Sequence, residues 1–212
     1  MPPGNDPMVF QVDPLLVASR LCGDAVLAYH TALEFHGIAQ SLYRVQTVLS
    51  VQSLVREVRF QGTSYRAVMV PAALRSEGTQ EIGVETGERA GLPLRVTSLE
   101  RTLVDSLDRP DLCGGWEELW RSFQDAGHLD ANLVADCAIA MENDTLAAKA
   151  GWFLERNATG LLIDPEGLNR LREHRPRQPR YLGRSSARSR YVPEWNLIVP
   201  EAVADQKWGE II

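Results

Sequence analysis

"VTSLERTLVDSLDRPDLCGGWEELW", residues 96–120, sets a Glu-Arg-Thr, three aspartates, a Gly-Gly pair and two tryptophans side by side, and its reading separates an active site from the frame of a fold. Thr97 followed three residues later by Glu100 has capping-box spacing, in which the hydroxyl accepts from an early helical N–H and the carboxylate reaches back to the threonine amide. Leu99, Leu103, Val104 and Leu107 then share one apolar face, while Arg101 and Asp105 stand one turn apart on another. Pro110 stops the helix, because proline disfavours helical geometry in the residue before it. Gly114 and Gly115 let the chain turn, and Trp116, Leu119, Trp120 and Phe123 recur at helical spacing as a core-facing stripe. The stretch reads as frame: two helices joined by a glycine turn, with Thr97, Glu100, Arg101, Asp105, Gly114, Gly115 and Trp116 in structural roles.

Weighed as chemistry, the same residues offer little. Glu100, Asp105 and Asp108 could in principle hold a cation, but Glu100 is drawn to its cap and no histidine is near. The Gly-Gly pair has neither Walker spacing nor a strand-borne G-x-G-x-x-G around it. His30 and His36 are six apart, a spacing that turns them to opposite helical faces, and His128 and His174 stand alone. With no G-x-S-x-G and no Cys-His pairing, a hydrolase has no named nucleophile. Catalytic groups, metal ligands and cofactors are accordingly read as none.

Upstream, Asp13 caps and Pro14 opens a helix, and "GDAVLAYHTALEFHG" extends the helical pattern with Val26, Tyr29 and Leu33 on one face until Gly37. Two short helices invite a helix-turn-helix reading, which fails because the second has no Arg, Lys, Asn or Gln to touch phosphates or base edges. Residues 45–51, 54–60, 65–70 and 81–86, then "LPLRVTS", alternate as strands, with a hairpin at Gly62 and with Arg56, Glu57, Arg59 and Arg66 on the solvent side. The middle is therefore expected to be a small antiparallel sheet. Downstream, residues 131–156 give alanine-rich amphipathic helices, with Leu133, Val134, Cys137 and Met141 on one face and Leu146, Ala150, Phe153 and Leu154 on another. Asp164-Pro165 begins a further short helix, and Trp195, Leu197 and Val199 alternate as a closing strand. The fold class is α+β: a small, mostly antiparallel sheet packed with a helical bundle, in one domain over residues 13–208 after a tail of residues 1–12. Deleting residues 191–212 should destabilise all of it.

The chain has 212 residues, 44% of them apolar, enough for one well-buried core. Its charge of −6 hides an asymmetry. Between residues 170 and 190, Arg170, Arg172, Arg175, Arg177, Arg180, Arg184, Arg188 and Arg190 face Glu173 alone, which is +7, so the remainder carries −13. The stretch is rich in Pro, Gly and Ser from Pro176 on and reads as an exposed Arg-rich loop or arm within the domain. Three readings of it stay open: an arm along a nucleic-acid backbone, a loop paired with the acidic body, or a seat for an acidic protein. If about six phosphates were contacted, affinity should fall roughly a thousandfold between about 50 and 200 mM salt. Three cysteines at wide spacing suit reduced thiols, and no apolar run approaches the roughly 20 residues that span a bilayer. The expectation is a cytoplasmic protein without membrane contact.

"SLERTLVDSLDRPDLCGGWEEL", with "YHTALEFHG" (29–37), "KAGWFLE" (149–155) and "PEWNLIVPE" (193–201), resembles in order the C-terminal domain of the AbiEi family, antitoxins and transcriptional regulators of bacterial type IV toxin-antitoxin systems in phage defence. The resemblance implies a non-enzymatic antitoxin that counters a nucleotidyltransferase-like toxin, AbiEii, generally without a tight complex. Family members also repress their operon through an N-terminal winged helix-turn-helix. Here about a dozen residues precede the first helix of the matching region, which leaves no room for that domain and puts direct repression by this chain in doubt. DNA or RNA contact then falls to the Arg-rich loop. One alternative is an accessory or truncated regulator whose winged helix sits on a separate chain. A remoter one is a metal-dependent nuclease, which no P-D…E-x-K cluster encourages. Toxin identity, operator and oligomeric state are not encoded legibly.

Overall fold

The computed structural model describes residues 11–52, 54–124, 126–157, 163–183 and 188–210. Helix α1 (Pro14–Ala18) is capped by Asp13, whose Oδ1 accepts from the Leu15 amide at 2.9 Å. The helical pattern expected from Gly23 onward divides in two. Val26–Leu27 form strand β1, Tyr29 turns the chain at φ 56°, and only His30–Phe35 make α2. The run Ala25–Ala28 is buried throughout, and a strand covered on both faces loses the alternation that would distinguish it from a helix.

Strands β2 (Val45–Ser50), β3 (Val55–Phe60), β4 (Thr63–Met69), β5 (Val84–Arg89) and β6 (Leu92–Thr97) complete a six-stranded sheet of order β3-β4-β2-β1-β6-β5. Its β2–β4 and β1–β6 pairs are parallel and the other three antiparallel, so the sheet is mostly antiparallel, as expected, but mixed through two parallel pairs that local patterns do not reveal. The charged strand β3, with Arg56, Glu57 and Arg59 exposed, takes the edge, where unpaired backbone and charge are tolerated. That choice folds β4 inward beside β2. The β3–β4 turn uses Gln61 (φ 47°) and Gly62 (φ 81°), the left-handed pair a two-residue hairpin needs.

Helix α3 (Leu99–Asp108) leaves β6 one residue later than the capping-box reading placed it. Thr97 stays in the strand, paired with Val84, and its hydroxyl lies 2.7 Å from that of Thr102. Ser98 is the cap, accepting from the Arg101 amide at 3.2 Å, and Glu100 accepts instead from the Asp130 amide at 3.1 Å, at the start of another helix. Strand pairing through Thr97 outweighs the local cap. Arg109 and Pro110 end α3, Gly114 and Gly115 both sit at φ 94°, and α4 (Trp116–Gln124) buries Leu119, Trp120 and Phe123, with Trp116 at its margin.

Asp130, Asn143 and Asp164 cap α5 (Ala131–Ala140), α6 (Asp144–Arg156) and α7 (Pro165–Glu173). A Cβ on Gly167 would lie 2.3 Å from the Ala131 carbonyl oxygen, so glycine permits the close crossing of α5 and α7. Strands β7 (Arg180–Tyr181), β8 (Ser189–Val192) and β9 (Leu197–Pro200) form a second sheet of order β7-β9-β8, followed by α8 (Glu201–Ala204). The main core lies between the large sheet and the bundle, around Leu103, Leu107, Trp120, Phe153 and Trp195. A smaller one under α1 holds Leu15, Leu27, Val48, Tyr65 and Leu94 on the sheet's other face.

Candidate nucleic-acid interface

The inner side of the second sheet is locked to the bundle. Leu197, Val199 and Trp195 are fully buried, and the Trp195 indole lies over Gly151, where a Cβ would come within 2.0 Å of the ring. The indole N–H donates to Glu155 Oε2 at 2.6 Å, and Arg172 both pairs with Glu155 and sits over the indole at 5.2 Å from its centroid. Trp195 is thus structural, although it sits in a 3-10 turn (Pro193–Trp195) ahead of β9 and not on the strand its alternation suggested.

This lock divides the arginines that the sequence groups together. Arg170 and Arg172 are not in a loop: they occupy the last turn of α7, Arg170 on Asp136 and Arg172 on Glu155. Arg175 donates to the Arg172 carbonyl at 2.7 Å. Arg180 and Arg190 lie on edge strands, so the loop reading is corrected there too, and Arg190 reaches Asp205 at 3.4 Å. The regular backbone comes from pairing with β9, a long-range partner that a Pro- and Gly-rich sequence does not advertise. Arg184 lies outside the described residues. Arg177, Arg180 and Arg188 are exposed and make no side-chain ion pair among the described residues.

Arg175, Arg177 and Arg180 line a cleft of about 380 Å³ with His174, Gln178, Asp144 and Glu173. A ring nitrogen of His174 is 2.9 Å from the Arg170 carbonyl, which closes α7 and holds the imidazole at the cleft. The cleft therefore offers guanidinium donors together with two carboxylates. Across the sheet from it, Tyr181 and Tyr191 are 62% and 47% exposed, both registered on Ile198 of the central strand.

The opening stretch supplies no accessible chemistry. Arg101 and Asp105 are 1% and 0% exposed, joined Nε to Oδ1 at 2.8 Å, with Arg101 Nη1 donating to the Ile82 carbonyl at 2.9 Å. Burial pushes the Asp105 carboxyl up, and the guanidinium works against that shift. Burial likewise pushes the Cys113 and Cys137 thiols up to about 12, which leaves both inert.

A second polar cluster escaped the sequence. His30, 1% exposed, lies 3.2 Å from Glu34, 3.4 Å from Glu118 and 3.4 Å from the Ser41 hydroxyl. Serine, imidazole and carboxylate are in relay order, yet the nitrogen nearest Ser41 also faces the Glu118 carboxylate. Glu118 Oε1 in turn accepts from the Gln40 and Ser41 amides at 2.7 and 3.2 Å, which occupies neighbouring donors an oxyanion would require. The cluster fastens the 38–44 segment and α2 to α4. Among the described residues no set of His, Cys, Asp and Glu converges as metal ligands, and no helix is long and apolar enough to cross a membrane.

No family model and no curated protein matches the chain. Its fold is similar to that of the Rv2827c protein from Mycobacterium tuberculosis, known from a crystal structure. The match has a TM-score of 0.61 at 16% identity and covers 94% of this chain and 72% of that one. At that identity the likeness concerns the α+β fold alone. The segments that carry the AbiEi resemblance fall on α2, α3, α4, α6 and β9: α2, α4 and α6 pack against α3, and β9, the central strand of the second sheet, packs against α6. The two exposed tyrosines were missed because they sit ten positions apart in sequence, and only strand register reveals that they share a face. An Arg-Tyr repeated at 180–181 and 190–191 was the available signal.

Proposed function

We propose that this chain is a non-catalytic antitoxin-type regulator of AbiEi kind, which counters a nucleotidyltransferase-like toxin and contacts nucleic acid through the arginine end of the domain. The observation that carries the nucleic-acid part is the set of exposed Arg177, Arg180 and Arg188, without an ion pair among the described residues, in a chain whose remaining sequence is acidic. Arg170, Arg172 and Arg190 of the same stretch find carboxylates, and the arginines left open beside them suit a polyanion. The non-catalytic part is supported by the commitment of the candidate carboxylates to the frame. Asp105 is sealed against Arg101, and Glu100 caps α5.

The test is growth rescue. The chain is co-expressed with a nucleotidyltransferase-like toxin, intact and with Arg177, Arg180, Arg184 and Arg188 changed to alanine. Rescue by the intact chain is the expected result, and its loss in a folded quadruple variant would assign the effect to the arginine end. No rescue by the intact chain would sink the antitoxin reading.

A further inference from the structure

We infer that the cleft between the end of α7 and β7 holds the terminal phosphate of a nucleic-acid strand. The inference rests on the nucleic-acid reading above and narrows it to a strand end. Register places Arg180 opposite the buried Leu197, so its side chain leaves β7 on the bundle side of the sheet, where the cleft lies, and opposite to Tyr181. At the end of α7 the His174 Nδ1–H donates to the Arg170 carbonyl at 2.9 Å, since a carbonyl only accepts, and Nε2 is left without a hydrogen bond among the described residues.

The backbone between Pro176 and Arg180 is fixed at both ends by one residue. Asn196 donates from Nδ2 to the Pro176 carbonyl and accepts at its own carbonyl from the Arg180 amide, both at 2.8 Å. It does so in the left-handed conformation at φ 49°, with its Oδ1 accepting from the Tyr191 hydroxyl at 2.6 Å. Asparagine is one of the few residues besides glycine that enter this region readily, and the three hydrogen bonds hold it there. Residues 176–180 are thus a pre-shaped span, and Arg177 stands on it exposed and without an ion pair among the described residues. Shaping the span in advance lowers the ordering cost of binding.

The charges of the cleft select the ligand. Asp144 and Glu173 line it too, yet among the described residues neither pairs with Arg175, Arg177 or Arg180. Guanidinium groups and carboxylates that stay apart around about 380 Å³ suit a ligand with concentrated negative charge at one point and hydrogen-bond donors at another. A running nucleic-acid backbone carries a negative charge at every phosphate and is repelled by the carboxylates. A strand end brings a phosphate monoester of about −1.5 to −2 charge near pH 7 for the arginines, and sugar hydroxyls that donate to the carboxylates.

Fluorescence anisotropy with a twelve-residue oligo-U labelled at an internal base tests this. The strand is prepared with a 5′-phosphate, with a 3′-phosphate and with hydroxyls at both ends, and uridine monophosphate serves as competitor. The proteins compared are wild type, Arg177→Ala/Arg180→Ala and Asp144→Asn/Glu173→Gln. A phosphate at one end should tighten binding about tenfold over the hydroxyl-ended strand, and the arginine variant should lose that gain. The carboxylate variant should bind the hydroxyl-ended strand more tightly and discriminate less. Equal binding of all three strands by wild type, or a phosphate-dependent gain that survives in the arginine variant, would overturn the cleft as a strand-end site and leave the nucleic-acid reading standing. Uridine monophosphate that competes as well as the unlabelled phosphate-ended strand would overturn the strand as ligand in favour of a free nucleotide. Absence of binding to every strand would remove both readings together.

Discussion

Arg101 in α3 and Arg177 before β7 carry the same guanidinium under opposite conditions. Arg101 is almost wholly buried, spends its donors on Asp105 and the Ile82 carbonyl, and lies where a Cβ on Gly83 would come within 2.5 Å of its own Cβ. Arg177 is exposed beside a cleft and has no ion pair among the described residues. The difference teaches that in this chain a central arginine is architecture, whereas Arg177 at the outer end adds no ion pair to the fold among the described residues.

The comparison breaks most sharply at α3. Removing Arg101 strands a carboxylate with one oxygen, Oδ2, already lacking a hydrogen bond among the described residues. Arg101→Ala should cost about 3–5 kcal/mol in urea unfolding. Replacing both partners, Arg101→Met with Asp105→Leu, should recover most of that, because the penalty belongs to the orphaned charge and not to the lost attraction. A double variant as unstable as the single one would show that the pair itself contributes the stability.

The Glu118 cluster is a smaller test on the same frame. Although partial burial works against it, hydrogen bonds from Ser41 and from the Gln40 and Ser41 amides, together with His30, hold the Glu118 carboxyl below its usual range. A carboxyl depressed in the native state adds stability that is present above its unfolded value of about 4.3 and is lost as pH falls through the native value. Glu118→Gln should therefore cost about 1–3 kcal/mol near pH 7 and flatten the acid limb of stability below about pH 4. An unchanged acid limb would place the acid sensitivity elsewhere, with Asp24 as the next group to vary, since hydrogen bonds from Ser50, Val51 and Gln52 also lower it against partial burial.

How much of this was legible in the sequence follows from what each feature depends on. Helices α3 to α7 are set by local periodicity, and the Asp130 and Asp164 caps by neighbours within one turn, so the frame could be read from residues close together. Three things depended on distant partners. The parallel β2–β4 and β1–β6 pairs follow from strand insertion, the shift of the α3 cap follows from pairing of Thr97 with Val84, and the burial of Arg101 and Asp105 follows from packing on α5 and on Ile82 and Gly83 ahead of β5. The candidate site was legible as composition, an excess of arginine, but not as geometry. Arg170, Arg172 and Arg190 meet Asp136, Glu155 and Asp205 from elements whose approach no local pattern encodes.

The smallest expected effect on stability is the sharpest statement about the arginine end. If Arg177 and Arg180 are held for a partner, they contribute little to folding, because exposed charges without ion pairs gain little Coulomb energy in high dielectric. Arg177→Ala/Arg180→Ala should then unfold within about 0.5 kcal/mol of wild type, while the slope of log affinity against log salt for a nucleic acid shallows by about one to two. The two readouts separate the roles. A loss of stability near that of Arg101→Ala would make these arginines part of the lock around Trp195, whereas unchanged stability with an unchanged salt slope would leave Arg188 as the exposed arginine to vary next.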